Sequence, residues 1–269
     1  MTEQATWSPD EIDEEVPSAA RIYDYLLGGA HNFAVDRCLG EKFLTALPSA
    51  RNVARLNRAF LRRAVVALAE SGVRQFLDLG SGIPTVGNVH EIAHGLDPQA
   101  GVVYVDSESI AVAHSELLLD GDHRTAVIQA NLREPGSILR HPETRRLLDF
   151  SQPIGLLMVG VLHFVPTRAD AAGIVRQYRD ELPSGSFLAL SHFTADVEPD
   201  EMAEVVEVMR HSADPVHPRT RDEITKLFDG FELLDPGVVG TAHWRPNEPD
   251  ASAEQPGGTR IYAGVGRKL

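Results

Sequence analysis

Short apolar runs alternate with helical segments through the middle of this chain, and that alternation limits the possible folds more than any other feature. The runs are rich in β-branched or aliphatic residues and cover residues 74–79, 102–106, 125–129, 154–161 and 186–191. Segments with helical spacing separate them, at residues 85–96, 108–119, 134–148 and 168–181. This order is typical of a parallel sheet covered on both faces and joined by right-handed crossovers. We therefore predict an α/β fold with a doubly wound sheet.

The N-terminal region lacks this alternation of strand-like runs and helical segments. Residues 1–16 contain six acidic residues and no basic one, which predicts a solvated tail. Two helices are expected next, one opening at Pro17-Ser18 and ending before Gly28-Gly29, the other over residues 52–70. We treat residues 17–269 as one domain.

The last third of the chain also departs from the alternation. Helices are expected at residues 200–210 and 220–228, the second opened by the capping box Thr220-x-x-Glu223. Two strand-like runs follow, at residues 231–234 and 260–265, and they fit a closing antiparallel pair better than another crossover unit.

The first apolar run leads into a glycine-containing turn, Asp78-Leu79-Gly80-Ser81-Gly82. Glycine lets the backbone turn sharply and approach a ligand closely. Pro84 is expected at the start of the next helix, where its missing N–H is not needed. The acid ahead of the glycines favours a ligand with hydroxyl or ammonium donors over a pyrophosphate.

Polar residues follow the other strand-like runs, at the places where doubly wound sheets bind ligands. Asp106 ends the second run and can accept hydrogen bonds from both hydroxyls of a ribose. Asn131 follows the third run and can hydrogen-bond an adenine amino group. His163 follows the fourth, where a group with a pKa near neutrality could deprotonate an acceptor. A half-buried structural histidine is the alternative interpretation of His163.

Taken together, Asp78-x-Gly80-x-Gly82, Asp106 and Asn131 resemble class I S-adenosylmethionine-dependent methyltransferases. The chain is similar in particular to one bacterial family of these enzymes, whose members lack an assigned substrate. That second resemblance rests on the segment Ala20-Arg21-Ile22-Tyr23-Asp24-Tyr25-Leu26-Leu27-Gly28-Gly29 and on residues 32–37, 57–61, 75–85 and 103–106. It covers nearly the whole chain from Pro17 onward.

The resemblance implies a Rossmann-like, seven-stranded, mostly parallel sheet with an antiparallel last strand. It implies S-adenosyl-L-methionine as the cofactor, with Gly80 and Gly82 facing its methionine part, Asp106 its ribose and Asn131 its adenine. We also expect cofactor contacts from Arg21, His31, Ser81, Ser107, Leu132 and Val161. Two departures from the broad class are Pro84 in place of a third glycine and Asn131 in place of an aspartate.

Residues 17–72 are expected to form an N-terminal helical lid over the cofactor. A methionine carboxylate favours a two-pronged arginine, and a sulfonium favours an aromatic face. Arg21, Tyr23, Tyr25 and His31-Asn32 could supply these groups, although an ordinary amphipathic helix remains the alternative. Residues 192–220 are expected to be an insertion on the substrate side, with His192, His211 and His217 as further candidates near the acceptor and a structural role as the alternative for each.

Two motifs at or just after the glycine-containing turn suggest other functions. His90-Glu91-x-x-His94 matches a zinc protease signature. However, no third ligand follows at the expected spacing, and a core face of Val86, Val89, Ala93 and Leu96 would turn both histidines toward solvent, so no metal site is expected. Gly80-x-Gly82-x-x-Thr85 is a dinucleotide fingerprint without its third glycine, which leaves an NAD-dependent oxidoreductase open. A protein that binds the cofactor without catalysis also remains open.

The composition limits the binding partners and the cellular location that we expect for this protein. The formal net charge is −14, which opposes binding to nucleic acid. The single cysteine, Cys38, permits no internal disulfide, which favours the cytoplasm, and it is expected to be partly buried. No signal peptide or membrane span is expected. The prediction is a cytoplasmic methyltransferase acting on a small-molecule acceptor, with the acceptor and the oligomeric state left open.

Overall fold

A mixed sheet runs through the centre of the protein, which we describe from a computed structural model for residues 14–85, 87–246 and 256–269. The strand order is β3-β2-β1-β4-β5-β8-β6, and β7 pairs with β8. Strands β1 to β5 pair in parallel, whereas β8 runs antiparallel to β5, β6 and β7. The strands are β1 Gln75–Leu79, β2 Gly101–Asp106, β3 Thr125–Gln129, β4 Gly155–Val159, β5 Phe187–Phe193, β6 Phe231–Leu233, β7 Val239–Gly240 and β8 Ile261–Lys268.

The predicted mostly parallel sheet with an antiparallel last strand is confirmed. Seven strands form one continuous path, and the two-residue β7 adds an eighth that the prediction of seven did not include. From β1 the chain proceeds outward through β2 and β3, then returns to the other side of β1 for β4 and β5. This reversal opens a crevice at the carboxyl ends of β1 and β4, where doubly wound sheets bind their ligands.

Helices cover both faces of the sheet. They are α1 Ala19–Leu27, α2 Ala34–Ala46, α3 Ala50–Glu70, α4 Val89–Leu96, α5 Ser109–Leu118, α6 Pro135–Leu139, α7 Pro142–Leu147, α8 Ala171–Glu181, α9 Pro199–Met209 and α10 Arg221–Lys226. Strand β1 is buried along its whole length, as expected for a strand covered on both faces. Its Phe76 packs in the core cluster on the α3 side, and the next residue, Leu77, packs in the cluster on the α8 side.

Several predicted helix boundaries are wrong for local reasons. Helix α4 begins at Val89, not at residue 85, because Asn88 caps it and Glu91 accepts a hydrogen bond from the Asn88 N–H at 3.0 Å. Pro84 therefore lies in the loop before the helix. The single helix expected over residues 134–148 is two short helices, and Pro142 opens the second because it cannot continue the first.

Helix α2 was not predicted. Its N-cap position is occupied by Phe33, which has no capping hydroxyl, and Gly40 lies in its interior. That glycine has a packing reason, because a Cβ there would lie 2.6 Å from the ring of Tyr25 on α1. Cys38 on the same helix is exposed, contrary to the partly buried position expected.

The N-terminal helices and the segment after β5 pack into one layer above the carboxyl ends of the strands. Their apolar residues form a single buried cluster that includes Ile22, Phe43, Val53, Phe193 and Met209. Residues 1–13 of the predicted acidic tail lie outside the described residues. No helix among the described residues is long and apolar enough to cross a membrane.

Candidate functional site

A cavity of about 220 Å³ lies between the carboxyl ends of the strands and the layer of N-terminal helices. Its wall combines the loops after β1 to β4 with residues of α1, α3 and the segment after β5. Ten of the twelve site residues expected from the sequence line it together: Asp78, Gly80, Ser81, Gly82, Asp106, Ser107, Asn131, Leu132, Val161 and His163.

The glycine-containing turn has the backbone geometry that requires glycine. Gly80 and Gly82 adopt φ angles of 73° and 66°, in the left-handed region. A Cβ on Gly80 would lie 2.3 Å from Cγ2 of Val161, so the turn packs directly against the β4 loop. A Cβ on Gly82 would meet nothing within 4 Å, because that side of the turn faces open space.

Asp106 holds this turn in place from the end of β2. Its Oδ2 accepts a hydrogen bond from the Gly82 N–H at 2.7 Å, and its Oδ1 accepts one from the Glu108 N–H at 2.9 Å. Burial raises the pKa of Asp106, and the backbone N–H groups of Glu108 and Gly82 oppose that rise. Each carboxylate oxygen keeps a second lone pair for a ligand.

Asp78, near the end of β1, is also a buried carboxylate, but it lacks the backbone partners that Asp106 has. It is 5% exposed and forms no hydrogen bond with any described residue. Burial raises its pKa to about 7, Arg58 opposes the rise and Asp106 adds to it. The hydroxyl of Ser81 is likewise buried without a hydrogen-bond partner in the described part of the chain. Unsatisfied buried groups of this kind are destabilising unless a ligand pairs with them.

Asn57 and Arg58 on α3 line the cavity, and no site role was predicted for them. Asn57 donates a hydrogen bond to the Tyr23 hydroxyl at 3.3 Å and accepts one from the Ser191 hydroxyl at 2.6 Å. The Nη2 of Arg58 donates to the Gly87 carbonyl at 3.1 Å. A sequence signal existed for Asn57 alone, because it interrupts an otherwise apolar helix face of Val53, Leu56 and Phe60, whereas Arg58 lies off that face.

Two expected cofactor residues, Arg21 and His31, do not line the cavity. Arg21 is buried, and its guanidinium pairs with Asp36 at 2.8 Å and with Glu108 at 3.0 Å. The side chain of His31 is 47% exposed, and its ring lies 4.0 Å from that of His114. Arg21 therefore joins α1 to α2 and to the residue that caps α5, instead of facing the cavity.

His163 lies in the short helical turn Leu162–Phe164 after β4 and is 3% exposed. Burial lowers its pKa well below the ordinary value, and the nearby His192 and Arg219 lower it further. The Phe193 N–H points at its Nδ1 from 3.5 Å, which favours a neutral ring with the proton on Nε2. A neutral ring of this kind can donate a hydrogen bond from Nε2 and is a weak base.

Arg219 holds the loop that carries His163. It donates to the carbonyls of Leu162 and Val165, both at 3.1 Å, and its Nη1 lies 2.6 Å from Nε2 of His192. The His217 N–H donates to the His163 carbonyl at 2.7 Å. Burial lowers the pKa of His192 to about 3, so this ring is neutral and accepts from Arg219.

The His90-Glu91-x-x-His94 motif has another structural explanation. His90 Nδ1 lies 2.8 Å from the Tyr104 hydroxyl, and His94 Nε2 lies 2.9 Å from the Ala100 carbonyl. Both rings are half-buried, so the prediction that they point to solvent is wrong. The reason is that Leu96 is 52% exposed and Ile92 takes its place in the core. Within the described residues, no group of three His, Cys, Asp or Glu side chains could hold a metal ion.

The strand order, the reversed β8 and a glycine turn held by an acid at the end of β2 together define a class I S-adenosylmethionine-dependent methyltransferase. A profile of the S-adenosyl methyltransferase family matches residues 5–269. The chain belongs to this family. It is an S-adenosyl-L-methionine-dependent methyltransferase, and the comparisons give no support to an oxidoreductase or a protease.

Two solved structures resemble the protein over nearly its whole length. One is a protein from Thermobifida fusca YX assigned as a methyltransferase, with 41% identity, a TM-score of 0.91, and coverage of 98% of this chain and 99% of the other. The second is a DUF574 family protein from Streptomyces avermitilis MA-4680, with 40% identity, a TM-score of 0.91, and coverage of 96% and 99%.

A more distant structure shares the fold alone. It is the plantazolicin methyltransferase in complex with a triazolic desmethylPZN analog and SAH, at 12% identity and a TM-score of 0.54, covering 93% of this chain and 96% of that one. The comparison with curated proteins finds no match.

Proposed function

We propose that the cavity binds S-adenosylmethionine along the carboxyl ends of β1 to β3 and a small-molecule methyl acceptor beside His163. One observation carries this proposal: the buried and unpaired Asp78, the open side of Gly82 and the anchored Asp106 face the same cavity. These three features fit, in that order, an ammonium group, a ligand chain that lies close to the protein backbone, and a ribose.

Individual residues then have distinct roles. Asp78 pairs with the cofactor ammonium, and Arg58, which lowers the pKa of Asp78 electrostatically, pairs with the carboxylate in place of Arg21. Asp106 accepts from the ribose hydroxyls, and Asn131 and Leu132 lie at the adenine. Ser81, Gly82 and Ser107 bring polar groups near the ligand, while Val161 supports Gly80. Arg21 and His31 act indirectly, by fixing the helical layer above the cavity.

When bound, S-adenosylmethionine supplies a methyl group on a positively charged sulfur. Transfer would join the acceptor atom to the methyl carbon as the carbon–sulfur bond breaks, with that electron pair returning to sulfur and any proton on the acceptor atom passing to solvent. The protein's part is to exclude water and to align the acceptor, and alignment supplies much of the rate in such displacements. The neutral His163 orients the acceptor through its Nε2–H instead of removing a proton.

The size of the acceptor is inferred from the cavity, and the cellular location of the protein is inferred from its composition. The cavity is covered by α1, α3 and the segment after β5, so a small molecule fits it better than a polymer. A net charge of −14 disfavours nucleic acid. The single Cys38 fits a cytoplasmic protein, and residues 17–269 act as one domain with a helical lid over residues 17–72 and a substrate-side insertion over 192–220.

Calorimetric titration tests the cofactor site. Wild type should bind S-adenosylmethionine and S-adenosylhomocysteine but not NAD. Asp106→Ala should abolish measurable binding, because the ribose loses its acceptor and the turn loses its anchor. Asp97→Ala replaces an acid at the C-terminal end of α4, outside the cavity wall, and this matched control should bind normally. Binding of NAD alone, or full binding by Asp106→Ala, would overturn the assignment.

A further inference from the structure

The charged groups in the cavity wall gather around the carboxyl ends of β1 to β3. They are Arg58, Asp78, Asp106, Glu108, Arg133 and Asp214. Asp78 and Asp106 lie at the ends of β1 and β2, Glu108 and Arg133 follow β2 and β3, and Arg58 acts on the pKa of Asp78. Asp214 belongs to the same end, because it accepts from the Ala19 N–H at 2.9 Å and raises the pKa of Asp106. We name this the charged end.

The opposite end of the cavity is lined by apolar side chains from the helical layer, β5 and β8. They are Ile22, Leu26, Phe43, Phe193, Met209, Val216 and Ile261. None is more than 8% exposed, so these are core residues whose remaining free surface faces the cavity. We name this the apolar end.

Between the two ends lie three polar groups that carry no charge. The Tyr23 hydroxyl donates to the Ala54 carbonyl at 3.0 Å, and burial raises its pKa. Asn57 is fixed by Ser191 on one side and by Tyr23 on the other. Its Nδ2 has a second hydrogen for a ligand. His163 is a neutral ring, so all three are suited to hydrogen-bond a hydroxyl, a phenol or an amide.

From this separation we propose that the methyl acceptor is an uncharged, largely apolar molecule that occupies the apolar end and presents its nucleophilic atom to Asn57 and His163. This inference rests on the proposed function, because the cofactor is taken to occupy the charged end. A charged acceptor would be buried there without a partner, which is strongly unfavourable. An uncharged one loses only apolar surface to the protein and keeps its hydrogen bonds.

The test uses three probes of matched size on wild-type protein saturated with S-adenosylhomocysteine at neutral pH. They are 4-phenylphenol, which is uncharged, biphenyl-4-carboxylate, an anion, and 4-phenylbenzylamine, a cation. We expect 4-phenylphenol to bind at least about ten-fold more tightly than either ion, since burying an unpaired charge costs more than this. Equal or tighter binding of either ion, or no binding of 4-phenylphenol, would overturn the inference.

Two variants locate the binding. Met209→Glu places a carboxylate at the apolar end and should weaken 4-phenylphenol at least about ten-fold. Leu96→Glu places the same charge on an exposed position of α4 and should leave both ligands unchanged. Retained binding of S-adenosylhomocysteine shows that each variant is folded. Unchanged 4-phenylphenol binding by a folded Met209→Glu variant would contradict the proposed location.

Titration with S-adenosylhomocysteine distinguishes a failure of the proposed function from a failure of the proposed acceptor class. If wild type fails to bind S-adenosylhomocysteine, the proposed function fails. If it binds S-adenosylhomocysteine and prefers an ionic probe, only the acceptor class is wrong.

Discussion

Asp78 and Asp106 carry the same carboxylate in the same cavity, yet their surroundings differ. Asp106 accepts from two backbone N–H groups, whereas Asp78 has no hydrogen bond to a described residue. Both are buried, so only Asp78 depends on a ligand to compensate its burial. Asp78 is therefore the carboxylate of the pair that we expect to gain most from pairing with a cationic group of a ligand.

Cofactor affinity should therefore depend on pH through Asp78. Its pKa in the free protein is about 7, and pairing with an ammonium requires the ionised form. Below pH 7 the affinity for S-adenosylhomocysteine should fall by up to about ten-fold per pH unit. Calorimetry between pH 5.5 and 7.5 measures this. Asp78→Asn should bind weakly at all these values with a flat profile, and an unchanged slope in that variant would contradict the role.

Buried arginines connect elements that are far apart in the sequence. Arg219 joins the segment after β5 to the loop after β4, and Arg21 joins α1 to α2 and to the start of α5. Neither side chain is more than 7% exposed. At the scale of elements, these two residues decide how the helical layer sits on the strand ends.

Replacing Arg219 by lysine should loosen the loop that carries His163. Lysine cannot donate to Leu162, Val165 and His192 at once from a planar group. We expect a loss of about 1–3 kcal/mol in the free energy of unfolding, measured by urea denaturation. Arg210→Lys, an exposed arginine on the same segment, should change it little. Equal stability of the two variants would remove the assigned role.

Replacing Arg21 by methionine should be more severe. It leaves the buried carboxylate of Asp36 and the partly buried one of Glu108 without their counter-ion, which destabilises by about 3–5 kcal/mol. Arg51→Met is the control, because Arg51 and Glu41 form an exposed pair at 3.9 Å that contributes about 0–1 kcal/mol. The readout is again the free energy of unfolding. A difference of less than about 1 kcal/mol between the variants would refute the prediction.

The whole molecule should lose stability as pH falls from neutrality. Burial lowers the pKa of His163 and His192 in the folded state, so below about pH 6.5 the unfolded chain binds protons that the folded one does not. The contribution of the two neutral histidines to the free energy of unfolding is therefore fully present above that pH. Below it, this contribution falls by about 1.4 kcal/mol per pH unit for each histidine.

Asp78 opposes this trend, because its raised pKa contributes stability at low pH that is lost as pH rises toward 7. Urea denaturation between pH 7.5 and 5 should therefore show a steeper loss of stability in Asp78→Asn than in wild type, while Asp106 and Glu108, whose pKa values burial also raises, titrate in both proteins. An equal slope in the two proteins would contradict this contribution of Asp78.

Local patterns in the sequence determined the strands and the meeting of their ends. Burial on both faces makes each parallel strand a continuous apolar run, so β1 to β5 lie within a few residues of their predicted positions. Parallel strands place their carboxyl ends along one edge, so Asp78, Asp106, Asn131 and His163 were expected together and line one cavity. Their individual roles toward the cofactor stay predictions.

Long-range packing sets which arginine faces that cavity and leaves its far end without charge. Arg21 and Arg58 both lie on amphipathic helices, and their helical positions do not show which of them faces a ligand. Arg21 turns away because it meets Glu108, 87 residues distant, and Asn57 is held by Ser191, 134 residues distant. Contacts at such separations depend on how the helical layer packs, and burial there sets charge state and orientation, which spacing along a chain does not encode.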